Sequence, residues 1–582
     1  MLKEKDFVTE AQILFETGSA YPHRVRFMYE ASDTLWQGIT WGEFLKLSTE
    51  IALYLRSIGI GPNRKVSIFA KNRIEWPFCV MAIHACRGVF VPVYQSNTAN
   101  QTSYILNHSD SEVLITEIDL LPVVFNIWTE LPKLRKIVAL GLEDEEQLLR
   151  QLEAFNKTAK QPLKAAEVSQ KLISINDVYD IGEDISRQET EAFGHLSRLI
   201  TKDDVSSILY TSGTTGQPKG VVLTIENIYT NAGDWIDVLG CLIPELKVDL
   251  LWLPMSHIFG LGEVGLGNTL GFATYLTTPQ AVLRHMPLAK PTIFMSVPAY
   301  WERLYLDSKG HSDRRSEQLQ RLHVLTGGRL RFCLSGGAGL KREVKEFFYE
   351  AGLLIIEGYG LTECSPTLTM NRKDDFDFDT VGKPFPNVQL RLASDGEILA
   401  KGPNIFRQYY KDEAATEETF DPEGWFKTGD LGVLTVDGFL KILGRKKDII
   451  VTSGGKNIAP QAIELLLRDD PYIEHVVLYG DERKYLTALI TLKTAAVFAY
   501  AKAAGIGEQD YALLVRRPEI AALVQNSIDV VNASLSSFET IKRFYIHDRS
   551  LSVEEGFLTP SLKLKRKAVH ERFKDVLDAL YG

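Results

Sequence analysis

Short apolar runs alternate along the chain with longer stretches that are apolar on one side only. Thr40 and Glu43 stand ahead of one such stretch. This is the pattern of a capping box, in which each side chain satisfies the other residue's unpaired backbone N–H. It predicts a helix that opens at Thr40 and ends near Gly59, where Gly59 and Gly61-Pro62 stop it. The apolar run VSIFA at 66–70 then predicts a strand, 75–85 a helix, 88–94 a strand, 99–107 a helix and 112–116 a strand. Strands separated by helices of about 10–15 residues spell βαβ units and a largely parallel sheet.

Three other regions have a different texture. The longest uncharged stretch, VGLGNTLGFATYLTTPQAVL from Val264, is too rich in Gly, Asn, Thr and Pro for a membrane span. It predicts buried strands and turns. Residues 143–198 are rich in charge and weak in strand signals, which predicts helical surface structure of an inserted kind. From about Lys446, apolar runs at 474–480 and 485–492 alternate with amphipathic helices, the pattern of a small α+β domain. A chain of 582 residues exceeds one core and implies at least two domains. The change of texture divides it into a large domain, 1–445, and a small one, 446–582.

Composition narrows the function classes. Apolar residues make up 45% and charged residues 24%, ordinary for a soluble globular protein. A formal net charge of −10 lacks the basic footprint of a nucleic-acid partner. The five cysteines, Cys79, Cys86, Cys241, Cys333 and Cys364, form no CxxC pair, which argues against a zinc site or a disulfide framework. They read as isolated buried thiols in a reducing, cytoplasmic compartment. The opening MLKEKDFVTEAQ lacks the apolar core of a signal peptide.

The densest chemical signal is YTSGTTGQPKGVVLT at 210–224, directly after the apolar run VSSILY. Glycines let backbone approach an anion closely, hydroxyls donate hydrogen bonds and Lys219 adds charge. Alone, such a loop reads as a surface turn as readily as a polyphosphate cradle. The Walker loop requires GxxxxGK(S/T), and here Lys219 lies between Pro218 and Gly220, so a P-loop NTPase is excluded by pattern. Four further segments follow in order: SGGAGL at 335–340, EGYGLTE at 357–363, WFKTGDLG at 425–432 and GRKKDIIVTSGGKNIAP at 444–460. GFLTPSLKLKRK at 556–567 closes the series.

Together these segments resemble the adenylate-forming (AMP-binding) superfamily of acyl-CoA synthetases, luciferases and peptide-synthetase adenylation domains. LTPxxKLKR, SVPAYWERLY at 296–305 and LPMSHIFG at 253–260 are similar to its long-chain fatty acyl-CoA synthetase branch. The resemblance implies an α/β fold: a large N-terminal domain of doubly wound sheets with a small β-barrel-like subdomain, and a small mobile α+β C-terminal domain. It implies ATP and coenzyme A as co-substrates, Mg2+ as cofactor and a fatty acid as the acid activated. Thr211, Ser212, Gly213, Thr214, Thr215, Gly216 and Lys219 would hold the β and γ phosphates. Gly336, Gly337 and Ala338 would border the adenine, and Gly336 and His257 the acyl chain. In the segment Glu357, Gly358, Tyr359, Gly360, the Tyr359 ring would stack on the base. Thr362 would contact the α-phosphate and Glu363 would hold Mg2+. Asp430 would take the ribose hydroxyls, with Arg445 beside it. Lys447 falls on the hinge, Ser453 and Gly454 on the pantetheine tunnel, and Lys563 on the catalytic lysine.

The C-terminal pattern departs from the commoner PKTxSGKxxR form, because Leu562 replaces a glycine and the first lysine is missing. That leaves Lys565, Arg566 and Lys567 as rival cations to Lys563. An acyl-carrier protein remains an alternative acceptor to CoA. A non-catalytic relic of the fold should have lost Lys219, Glu363, Asp430 or Lys563, and all four are present. A long acyl substrate partitions into lipid, which is compatible with peripheral membrane contact.

Overall fold

A computed structural model describes all residues except 1–6, 33–34, 190, 212–216, 311, 553–554 and 559–563. Two large sheets dominate. One has eight strands, of which Val205–Thr211, Val89–Val93, Lys65–Phe69, Ser111–Glu117, Lys136–Leu140 and Leu172–Ser174 run parallel in that spatial order. At its other edge Lys219–Thr224 and Gln408–Tyr409 are added antiparallel. The second sheet has nine strands, with a parallel centre that includes Ile293–Ser296, Phe332–Ser335 and Ile355–Gly360.

A single core joins the facing sides of both sheets, from Val66 and Ile68 on one to Phe294 and Ile356 on the other. The helix Glu75–Ala85 belongs to that core: residues 76–83 are all buried, as expected of a helix with apolar residues on every side. The helix Trp41–Ser57 opens with the expected capping box. Thr40 N donates to Glu43 Oε2 at 2.7 Å and Glu43 N to Thr40 Oγ1 at 3.2 Å. Gly59 follows in the left-handed region at φ +88.

Three expectations change. Residues 264–270 are helical, as part of Ile258–Leu270; strand begins only at Ala273–Leu276. The glycines there serve close packing. A Cβ on Gly265 would lie 2.7 Å from the Glu10 carboxylate, and one on Gly267 2.6 Å from the Arg26 guanidinium. Buried Arg26 in turn donates to Asn268 Oδ1, Val264 O and Thr274 Oγ1, fixing the helix to the sheet. Residues 143–198 are mostly helical but not only surface structure. Leu172–Ser174 extends the first sheet, and the helix Ile175–Ser186 buries Val178 in the shared core. Cys241 is exposed, unlike the other four cysteines.

The small subdomain takes the form of a four-stranded antiparallel sheet in the order Gln389–Leu392, Glu397–Lys401, Phe426–Leu434, Leu440–Arg445. Beyond it, Ile473–Tyr479, Leu486–Leu492 and Ile541–Ile546 form the three-stranded sheet of the C-terminal α+β unit. Alternation sends Leu486, Ala488 and Ile490 to one apolar cluster and Leu489 to another, so this sheet is covered on both faces. Among the described residues no helix is long and apolar enough to cross a membrane.

Candidate active site

Ligands in open α/β sheets bind outside the carboxyl ends of the strands. Thr211, Ser335 and Gly360 all stand at such ends. Thr211 pairs with Lys219 across the antiparallel ladder, so both feet of the glycine-rich loop are placed. Ser212, Gly213, Thr214, Thr215 and Gly216 lie outside the described residues. One helix, Ala99–His108, holds both feet. Tyr104 OH donates to Pro218 O at 3.1 Å, and His108 Nδ1 lies 2.8 Å from Tyr210 OH. Tyr104 and His108 are one helical turn apart, and their rings stack at 5.2 Å.

Lys219 Nζ lies over the ring of Tyr409, 5.1 Å from its centre. Tyr409 is brought there by the edge strand Gln408–Tyr409, and its hydroxyl donates to Glu363 Oε1 at 2.9 Å. Burial, then the charge of Glu363, raises the Tyr409 phenol, so it stays a donor through neutral pH. Glu363 and Thr362 share the one-turn helix Thr362–Cys364, anchored by a 2.9 Å bond from Cys364 N to Leu361 O. Glu363 Oε2 accepts no hydrogen bond among the described residues. A half-buried carboxylate with one such oxygen fits a hard cation such as Mg2+ whose other ligands are phosphate oxygens and water. The sequence reading missed Tyr409. Its signal was the aromatic pair at 409–410 after the Gly-Pro turn at 402–403.

In the strand Ile355–Gly360, Tyr359 OH donates to Asp430 Oδ2 at 2.6 Å. A Cβ on Gly360 would fall 1.8 Å from Pro366 O, so only glycine permits this approach of backbone to backbone. Gly358 packs against Met370 in the neighbouring strand. The Glu357 side chain, within the segment that would border the base, is committed inside the protein. Its carboxylate is buried, pairs with Lys345 Nζ at 2.6 Å and accepts from Leu340 N at 2.8 Å. Both oxygens are taken, and the side chain ties SGGAGL to the next strand. In that loop Gly336 N donates to Ser296 O at 3.1 Å, while Gly337 and Ala338 are exposed. The ring of Phe259 lies 3.1 Å from the position of a Cβ on Gly336, which brings the His257 segment and SGGAGL together. His257 caps the helix Ile258–Leu270, its Nδ1 accepting from Phe259 N at 3.1 Å.

Asp430 is buried and pairs through Oδ1 with Arg445 Nε at 2.9 Å. The two face each other across antiparallel strands. Two residues on, Lys447 carries a pKa lowered by burial and by Arg445, while Asp430 and Glu363 act on it in the opposite sense. Both carboxylates therefore lie within electrostatic reach of it.

Ser453 and Gly454 are exposed at the tip between Ile450–Val451 and Asn457–Ile458, where Ser453 N donates to Arg483 O at 2.9 Å. Lys563 lies outside the described residues. Of its rivals, Arg566 is committed elsewhere, each terminal nitrogen 2.6 Å from an oxygen of Glu464. Lys567 is exposed and pairs with Glu571 at 3.8 Å. Lys565 is half-buried at the start of the helix Arg566–Arg572.

This arrangement is that of an adenylate-forming enzyme. The family model described as AMP-binding enzyme matches residues 14–410, and that of the AMP-binding enzyme C-terminal domain matches 447–582; the chain belongs to this family. It is 31% identical to the long-chain-fatty-acid–CoA ligase FadD15 of Mycobacterium tuberculosis, over 94% of this chain and 93% of that protein. It is 29% identical to the peroxisomal long chain acyl-CoA synthetase 6 of Arabidopsis thaliana, over 96% of this chain and 83% of that one. The fold matches the adenylation domain of a carboxylate reductase from Mycobacterium chelonae, with a TM-score of 0.81 at 20% identity over 99% and 92% of the two chains. It also matches the o-succinylbenzoate coenzyme A synthetase of Bacillus subtilis in complex with AMP, with a TM-score of 0.67 at 22% identity over 96% and 97%.

Proposed function

We propose that this enzyme activates a fatty acid with ATP, releasing pyrophosphate, and then transfers the acyl group from acyl-AMP to coenzyme A, releasing AMP. The observation that carries this reading is the pair of linked clusters on the large domain, Lys219–Tyr409–Glu363 and Tyr359–Asp430–Arg445, both at strand ends. A carboxylate resists nucleophiles, and adenylation makes one of its oxygens part of a good leaving group, AMP. In the first step a carboxylate oxygen attacks the α-phosphorus and the bond to pyrophosphate breaks. Tyr359 stacks on the adenine, Asp430 holds the ribose with Arg445 beside it, and Lys219 with the glycine-rich loop holds the β and γ phosphates. Thr362 and Lys563 meet the charge that grows on the α-phosphate; preorganised donors of this kind act without reorganising. Mg2+ held by Glu363 supplies neutralisation of phosphate charge.

In the second step the CoA sulfur attacks the acyl carbon and AMP leaves. The domain 446–582 turns about Lys447, withdrawing Lys563 and bringing Ser453 and Gly454 to the pantetheine arm, a hinge transition of a known type. His257 and Gly336 border the acyl chain. The test is AMP release across fatty acids of different length, with and without CoA or a carrier protein, beside fatty-acid-dependent ATP–pyrophosphate exchange. Exchange that needs a fatty acid, followed by release that needs CoA, is expected. Exchange without any CoA dependence of AMP release would sink the second half.

A further inference from the structure

The strand that carries Asp430 does not run evenly past its neighbour. Leu399 faces Lys427 and Ala400 faces Phe426, yet Glu397 faces Leu431. The register slips between them, so Thr428, Gly429 and Asp430 leave the ladder as a bulge. Bulges re-aim side chains beside active sites and leave backbone groups without ladder partners. Here those groups find side chains instead. Thr428 Oγ1 donates to Ile398 O at 2.7 Å and accepts from Asp430 N at 3.1 Å. Gly429, in the left-handed region at φ +71, donates its N–H to Glu397 Oε1 at 3.0 Å.

Glu397 has a second partner. It is 6% exposed, and a carboxylate so buried with one neutral N–H as its sole partner would be costly. Lys446 Nζ completes it, 2.7 Å from Oε2, and reaches Asp395 Oδ2 at 2.5 Å as well. Lys446 directly precedes Lys447. One buried carboxylate therefore touches both the turn that presents Asp430 and the last residue before the proposed hinge.

We propose that Glu397 is a positioning residue that holds the bulge aiming Asp430 at the ribose and, through Lys446, fixes the large-domain end of the hinge to the same point. The nucleotide site then keeps its shape while the C-terminal domain turns, and the swing begins at Lys447. This rests on the roles given above to Asp430 and Lys447.

The experiment compares full-length wild type, Glu397→Gln, Lys446→Met, Lys446→Arg and the Glu397→Gln/Lys446→Met double variant. ATP–pyrophosphate exchange is measured with ATP and with 2'-deoxy-ATP, beside thermal unfolding. Loss of a hydrogen bond to a charged group predicts a KM for ATP about tenfold higher in Glu397→Gln. Its preference for ATP over 2'-deoxy-ATP should shrink, with the KM for fatty acid unchanged. Lys446→Met should show a weaker form of the same change, Lys446→Arg should restore it, and the double variant should be no worse than Glu397→Gln. A merely structural role would lower stability and turnover without altering nucleotide preference. A wild type that exchanges no pyrophosphate with any fatty acid overturns the proposed function. An active wild type whose Glu397→Gln and Lys446→Met forms keep the full preference for ATP overturns the role of Glu397 alone.

Discussion

Asp430 and Gly454 flank Lys447, and they are held in opposite ways. Asp430 is 5% exposed, presented by a bulge and bonded to Tyr359 and Arg445 from two other strands. Gly454 is exposed at the tip of a two-stranded ribbon, and among the described residues a Cβ there would meet only Thr452 Oγ1, at 3.9 Å. The bracing on the Asp430 side goes deep. The helix Ile225–Leu239 presents Asn227, Asn231 and Asp234 along one buried stripe, and these bond to Pro403 O, Thr367 O and Asn387. Groups that act on developing charge gain from being aligned beforehand. A group that must enter the site for one step and leave it for the other gains from making few contacts. The contrast is what a two-step reaction on one nucleotide site calls for.

The sharpest way to break the contrast is at Lys563, the lysine proposed to leave the site. Lys563→Ala should lower fatty-acid-dependent ATP–pyrophosphate exchange by a factor of about 10² or more. It should spare CoA-dependent AMP release from a pre-made acyl-adenylate. Equal loss of both steps, or a greater loss in Lys565→Ala, would contradict the role given to Lys563. Arg566→Ala has a different expected result. It strands the buried Glu464 and should destabilise the C-terminal domain, seen as earlier thermal unfolding.

On the braced side, Tyr409→Phe removes the hydroxyl from Glu363 and keeps the ring under Lys219. Hydrogen bonds to charged groups are worth about 1.5–3 kcal/mol, so exchange should fall about tenfold or more. A Mg2+ titration of the exchange rate checks this: the midpoint should move if Tyr409 orients the Glu363 carboxylate, and an unmoved midpoint with wild-type rate removes Tyr409 from the site. On the other side, Gly454→Leu should fold normally, since its surroundings are open. It should slow the CoA step about tenfold, a barrier change of about 1.4 kcal/mol, and leave exchange unchanged. Slowed exchange in this variant would place the loop in the first step as well.

The same contrast governs what could be read from the sequence. Thr211, Lys219, Tyr359, Glu363, Asp430 and Arg445 lie in short contiguous segments, and contiguous segments are legible. Tyr409 and Glu397 act through partners far off in sequence, Glu363 at a separation of 46 and Lys446 at 49. Nothing local marks a tyrosine as the partner of a distant carboxylate. Glu357 is the converse case: it sits inside a segment that reads as a binding motif, but its side chain turns to Lys345. The helix Ile258–Leu270 was misread because a glycine that admits a neighbouring Glu10 or Arg26 looks the same in sequence as a glycine that makes a turn. The strands Lys65–Phe69, Val89–Val93 and Ser111–Glu117, by contrast, followed from apolar runs of the right length.

The smallest expected effect tests what the bracing costs. Asp234 is buried, and Asn387 donates to its Oδ1 at 2.7 Å while its Oδ2 lacks a partner among the described residues. Desolvation raises its pKa to about 6. Because the folded value lies above that of the unfolded chain, the folded state binds a proton that the unfolded state has already lost. Asp234 is therefore best tolerated below about pH 4, and its contribution is lost as pH rises through about 6. Asp234→Asn keeps an acceptor for Asn387 and carries no charge. Compared with wild type it should be near neutral at pH 4 and more stable at pH 8, by on the order of 1 kcal/mol. Thermal unfolding followed from pH 4 to pH 8 should show the gap opening between about pH 4 and pH 6 and levelling off above. A gap that is constant with pH would mean that the stripe on Ile225–Leu239 holds a carboxylate without strain, and that the prebuilt half of the site is maintained at no cost from this group.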